Sequence, residues 1–187
     1  MKSAIVLKVA FLIIALLIAL PVAAQTTSLS YSYFELDGAR LDKDGLPAGN
    51  GGGFRASGEL GSNFNVIAGW SQINVDTPFL DHVRPAYLGF GYHLPMNATT
   101  DLFAEATYND LDPIDNGYGA RVGVRSKLAD RFEAGAAIAY AKIKNIDANT
   151  ALDVYGQYFI TRNIGIVAEA ALGNSEKTYL VGVRISN

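Results

Sequence analysis

Residues 132–140 run Phe132-Glu133-Ala134-Gly135-Ala136-Ala137-Ile138-Ala139-Tyr140. Counted from Phe132, every second residue is apolar, with a ring at each end and Ala, Ala and Ile between. The intervening positions hold Glu133, Gly135 and two alanines. A period of two belongs to an extended strand, whose side chains alternate between its faces. A tilted strand needs about nine to eleven residues to cross a bilayer, whereas strands of ordinary sheets average about five or six. Rings at both ends of an aliphatic stretch match side chains anchored at two membrane–water interfaces.

The pattern repeats outward from this stretch. Ten alternating segments can be marked at about 28–36, 51–60, 64–74, 84–93, 101–109, 117–127, 132–142, 151–160, 164–172 and 178–187. On the apolar parity, Tyr33, Phe54, Trp70, Tyr108, Tyr118, Tyr140 and Tyr179 fall near one common end, and Phe64, Tyr92, Phe132 and Tyr158 near the other. They predict two aromatic girdles around a belt of Ala, Val, Ile and Leu. Leu29 and Tyr31 share the parity of Tyr33, although Glu35 then breaks it. The opposite parity carries Arg55, Glu59, Glu105, Arg121, Arg125, Glu133, Asp153, Glu169 and Arg184.

Alternation alone does not say which face is inside, since a soluble barrel buries its apolar face and a membrane barrel turns it to lipid. Glycine separates the two. Gly53, Gly69, Gly89, Gly91, Gly119, Gly123, Gly135, Gly165 and Gly182 share the charged parity, while Gly58 and Gly156 share the apolar one. Glycine weakens a strand facing solvent but makes room in a narrow lumen. Connectors also alternate. Those at 37–50, 75–83, 110–116, 143–150 and 173–177 read as long external loops, and those at 61–63, 94–100, 128–131 and 161–163 as short periplasmic turns. The expected fold is all-β, a closed antiparallel up-and-down transmembrane β-barrel of ten strands, or eight if one hairpin is lost.

The start of the chain is different. Lys2 and Lys8 precede the apolar run 11–20, and Pro21 and Val22-Ala23-Ala24 follow it. This is the layout of a secretory signal peptide cleaved after Ala24, leaving 25–187 as the barrel. The 187 residues contain no cysteine, which excludes disulfide scaffolds, Cys-based metal sites and thiol nucleophiles. A net charge of −3 argues against nucleic-acid binding.

These features look like those of small bacterial outer-membrane barrels of the OmpA/OmpX type. More narrowly, the chain resembles the barrel family once described as a sulfation-dependent quorum factor. The similarity lies in Leu29-Ser30-Tyr31-Ser32-Tyr33, Asn116-Gly117-Tyr118 with Gly123-Val124-Arg125, Val154-Tyr155-Gly156 and Val181-Gly182-Val183-Arg184-Ile185-Ser186. The resemblance implies a small barrel in the outer membrane and assigns no residue a signalling role. It also implies the barrel assembly machinery as a partner, although that machinery commonly reads a terminal Phe or Trp and this chain ends in Asn187.

A ten-stranded barrel holds little beyond its own side chains. The expected lumen charges nearly balance, so they read as a paired polar plug, with Arg125 and Glu133 a pair across one turn. Ser57, Asn65, Tyr155 and Gln157 extend the hydrogen-bonding set. A charge-lined solute path is the alternative. The external connectors are acidic, with Asp37, Asp42, Asp44, Asp76, Asp81, Asp110, Asp112, Asp115, Asp147 and Glu176 outnumbering Arg40, Lys43, Lys144 and Lys177. The first expectation is therefore a non-enzymatic barrel set among lipid and lipopolysaccharide. It would present acidic loops for surface interaction, adhesion or envelope maintenance, with no cofactor or metal. A hydrolase using Asp81 and His82 is a further alternative. Adjacent side chains in an extended segment point apart, however, and these strands are not expected to reach far beyond the membrane.

Overall fold

The computed structural model describes residues 29–45, 47–77 and 80–187. The expected signal peptide, 1–24, lies outside the described residues. Ten strands follow one another: β1 (Tyr33–Lys43), β2 (Gly49–Leu60), β3 (Phe64–Thr77), β4 (Leu80–Asn97), β5 (Thr100–Asp112), β6 (Asp115–Ala129), β7 (Phe132–Ile143), β8 (Asn149–Phe159), β9 (Ile164–Gly173) and β10 (Glu176–Ser186). Each pairs antiparallel with its sequence neighbours, and β1 closes on β10 from Tyr33 opposite Ser186 to Lys43 opposite Glu176. The architecture is the expected ten-stranded up-and-down barrel. One end carries both ends of the β-meander and is here called the terminal end; the other is the far end.

The faces sort by chemistry. Leu36, Leu88, Ile138, Leu152, Ile166, Val181, Val183 and Ile185 are exposed on the outside, as are Phe54, Phe64, Trp70, Tyr108, Tyr118, Phe132, Tyr158 and Tyr179. Outer rings neighbour one another across strands, as in Phe34–Phe54, Phe54–Trp70, Phe64–Tyr92 and Tyr118–Tyr140. The buried residues include Glu35, Asp101, Arg125, Glu133, Asp153, Gln157 and Arg184. A molecule that buries its ions and exposes its aliphatics is matched to a hydrocarbon solvent, which satisfies the outer face and leaves the strand ladder to satisfy every backbone group.

Two sequence expectations are corrected. First, β1 has the reverse parity. Tyr33 is not a girdle residue; it faces the lumen with Glu35 and Asp37, while Phe34 and Leu36 face outward. Leu29 and Tyr31 are also buried, at 6% and 5% exposure. Second, the long external connectors are mostly strand. At the far end the strands are joined through 44–48, 78–79, 113–114, 144–148 and 174–175, and at the terminal end through 61–63, 98–99, 130–131 and 160–163, so the two ends hardly differ. The hairpin of β3 and β4 pairs Ile73 with Val83 and Thr77 with Leu80. It persists because Ile73, Val75 and Val83 pack inward with Leu41, Leu80 and Leu111. Gly51-Gly52-Gly53 lies within β2, opposite 71–73 of β3, inside the segment expected from residue 51.

Candidate functional site

The lumen has two unlike halves. The terminal half is filled with ions. Glu35, fully buried, is shared by two guanidiniums. It accepts from Nε and Nη2 of Arg55, its Cα partner on β2, and its Oε2 lies 2.7 Å from Nε of Arg184, its Cα partner on β10. Arg55 also donates from Nη1 to Glu169 at 2.7 Å. Asp37 Oδ2 stands 3.4 Å from the Arg55 Nε that already serves Glu35. Arg121 lies 3.3 Å from Glu105 and 2.9 Å from Asp153. Arg184 donates to Gln157 at 3.2 Å and its guanidinium lies 4.2 Å from the Tyr33 ring centre.

Nearer the terminal end a second layer forms. Arg125 donates to Glu133 through Nε and Nη2, the shorter bond being 2.7 Å. Its Nη1 donates to the Ser30 carbonyl at 2.7 Å, and its guanidinium lies over the Tyr31 ring at 4.9 Å. Tyr31 stacks on His93 at 3.8 Å between centres, and its backbone N–H donates to Glu59 at 2.7 Å. His93 Nδ1 is 3.6 Å from Asp101, which is fully buried. Residues 29–32 therefore reach from β1 across to β6, closing the terminal mouth. Asn65 donates to Ser57 at 2.9 Å within the same half.

Two inward glycines make this packing fit. A Cβ at Gly135 would meet the Tyr155 ring at 2.3 Å and the Val124 carbonyl oxygen at 2.8 Å, while one at Gly69 would meet the Tyr87 ring at 2.5 Å. We expect Gly135→Val to lower the folded fraction by the equivalent of about 1–3 kcal/mol of overpacking. Gly58→Ala, with nothing within 4 Å of its added Cβ, should be neutral. Heat-modifiable gel migration of the two refolded variants checks the contrast.

The far half is an apolar cup of about 940 Å³. Leu41, Ile73, Val75, Leu80, Val83 and Leu111 line one side, while the opposite side is lined by Gly119, Ala139 and Ala141. The cavity exists because β6 and β7 contribute almost no side-chain volume there. Its floor is Asp37, Arg55, Glu105, Arg121, Asp153 and Glu169. A second void of about 50 Å³ lies below, and Tyr33, Arg55, Glu105, Arg121 and Glu169 line both. Those five side chains are the partition between cup and plug.

Of the charges expected inside, Arg55, Glu105, Arg121 and Glu169 lie at the partition, Asp153 lines the cup above it and Arg184 the void below it, and Arg125 and Glu133 meet in the terminal layer. Glu59 sits exposed at the terminal rim, where it accepts from the Tyr31 backbone N–H but pairs with no guanidinium in the ion network described above. Glu35, Asp37, His93 and Asp101 were missing from the expected set. Their signal was available: Glu35 and Asp37 alternate with Phe34 and Leu36. Asp81 is exposed at the far end, and His82 sits on β4 opposite Asn74 with its neighbour Val83 turned inward, so Asp81 and His82 do not converge on the lumen. β4, at 18 residues, is the longest of the ten strands.

Comparison with family models and with curated proteins finds no match. Among solved structures, KdgM porin in complex with disordered oligogalacturonate aligns with a TM-score of 0.51 at 13% identity, over 82% of this chain and 99% of that one. Neisserial surface protein A aligns with a TM-score of 0.45 at 13% identity, over 84% and 98%. At such identities the likeness is one of fold. The closed barrel and its lipid-matched outer face make this chain a small outer-membrane β-barrel of porin-like architecture.

Proposed function

We propose that this protein is a non-enzymatic outer-membrane barrel that offers a binding cup to the exterior and is sealed on its periplasmic side. The observation that carries this reading is the partition of Tyr33, Arg55, Glu105, Arg121 and Glu169 between the cup and the smaller void beneath it. A floor of interlocked ion pairs supports binding rather than passage. With ten strands both termini share one side, the periplasmic side in barrels of this kind, so the cup opens outward. In this reading residues 1–24 are an export signal, the assembly machinery inserts the remainder, and lipopolysaccharide surrounds the far rim. The short far-end turns move the working surface from displayed loops to the cup and its acidic margin. The resemblance to the quorum-factor barrels would imply the same architecture.

The runner-up is a narrow channel, favoured by the void of about 50 Å³ beneath the cup, lined by Arg55, Arg121, Arg125 and Arg184. Planar-bilayer recording decides. The wild-type barrel is expected to give no reproducible single-channel steps. Steps whose size changes in Glu105→Gln or Arg121→Gln would replace the sealed cup with a conduit.

A further inference from the structure

Resting on the cup reading above, we propose that the ligand is an amphipathic organic cation: a compact alkyl or aryl body carrying an ammonium head. The body is specified by the wall. Leu41, Ile73, Val75, Leu80, Val83 and Leu111 form a continuous apolar surface, and about 940 Å³ is the size range of small-molecule sites, about 300–1,000 Å³. Apolar side chains inside a membrane barrel are not demanded by the membrane, which touches only the outside. They favour an apolar occupant.

The head is specified by the floor. Asp37, Glu105, Asp153 and Glu169 face Arg55 and Arg121, four carboxylates against two guanidiniums. Both guanidiniums are already engaged, Arg55 by Glu35 and Glu169 and Arg121 by Glu105 and Asp153. An anionic head would therefore find no free cation, whereas an ammonium completes a set in surplus of acid. Asp37 is the strongest anchor. Its carboxylate lies at the cup floor, and the Arg55 Nε 3.4 Å away is shared with Glu35. The rim has the same sign. Arg40 pairs with Asp42, Lys43 with Glu176 and Arg84 with Asp112, and the acids Asp44, Asp81, Asp110, Asp115 and Asp147 outnumber Lys142, Lys144 and Lys177. A low-dielectric cleft edged by one sign of charge concentrates the opposite ion.

The test uses the full barrel in phosphatidylcholine nanodiscs and three isosteric probes, 4-phenylbutylammonium, 4-phenylbutanol and 4-phenylbutyrate. Titration calorimetry is read against empty discs. The ammonium is expected to bind at least about ten-fold more tightly than the alcohol, a difference of about 1.4 kcal/mol, with the carboxylate weakest. Asp37→Asn should remove that preference, and Ala141→Trp, which fills the cup, should abolish binding of both ammonium and alcohol. Heat-modifiable migration confirms that each variant is folded. Equal binding of ammonium and alcohol, or tighter carboxylate binding, would overturn the cationic head and leave the cup reading standing. Binding that survives Ala141→Trp, or no binding of any probe, would overturn both.

Discussion

Replacing Glu35 by Gln is expected to destabilise the barrel by about 3–5 kcal/mol, the usual cost of leaving a buried ion without its partner. Two guanidiniums depend on this one carboxylate, and its exposure is zero. Arg55 would retain Glu169, but Arg184 would keep only the Gln157 carbonyl and the face of Tyr33. The exposed pair Arg40–Asp42 is the internal control: its loss should cost no more than about 1 kcal/mol. Urea unfolding in lipid vesicles measures both. A Glu35→Gln barrel as stable as the Arg40→Gln barrel would mean that water reaches the ion layer and that the partition is not sealed.

Ile138→Arg is expected to cost about 2–4 kcal/mol, the penalty of a guanidinium at mid-depth on a lipid-facing strand. Ile138 is 55% exposed, and its cross-strand partners Val122 and Leu152 share its outward face. The same change on a water-soluble barrel would be neutral or would improve solubility, so the sign of the effect tests what solvent surrounds the molecule. Asp147→Arg on the far turn 144–148 should be close to neutral in the same vesicles. Equal stability of Ile138→Arg and the parent would contradict the membrane assignment.

Most of the architecture was legible because lipid imposes a strict rule on one face of each strand. Nine segments carry that rule through their middles, with Gln72, Asn74, Arg84 and Lys142 departing from it only toward the far end, and there the parity read from Phe54, Trp70, Tyr108 or Tyr179 matches the face these residues occupy. It failed on β1, where Tyr31 and Tyr33 resemble girdle residues in a linear reading but are lumen side chains that lie against His93, Arg125 and Arg184. An aromatic ring stacks on a guanidinium inside as readily as it anchors in an interface outside, so ring identity alone does not fix parity. The loops misled for another reason. Asp, Pro and Gly punctuation suggested long connectors at 37–50 and 75–83, but inward Leu41, Ile73, Val75 and Val83 supply a small core that carries pairing past them. The cup was invisible for the same reason: it is made by what β6 and β7 lack, and an absence of volume opposite an apolar wall emerges only when the ring closes.

The Glu35–Arg184 ion pair joins residues 149 positions apart, on the first and last strands. A growing sheet cannot form it by extension; it becomes available only when the two free edges meet. Its contribution is thus deferred to the final annealing of the cylinder, where it acts as a latch on the seam. Variants lacking the latch should accumulate as open, unsealed sheets at the membrane with their hairpins already registered.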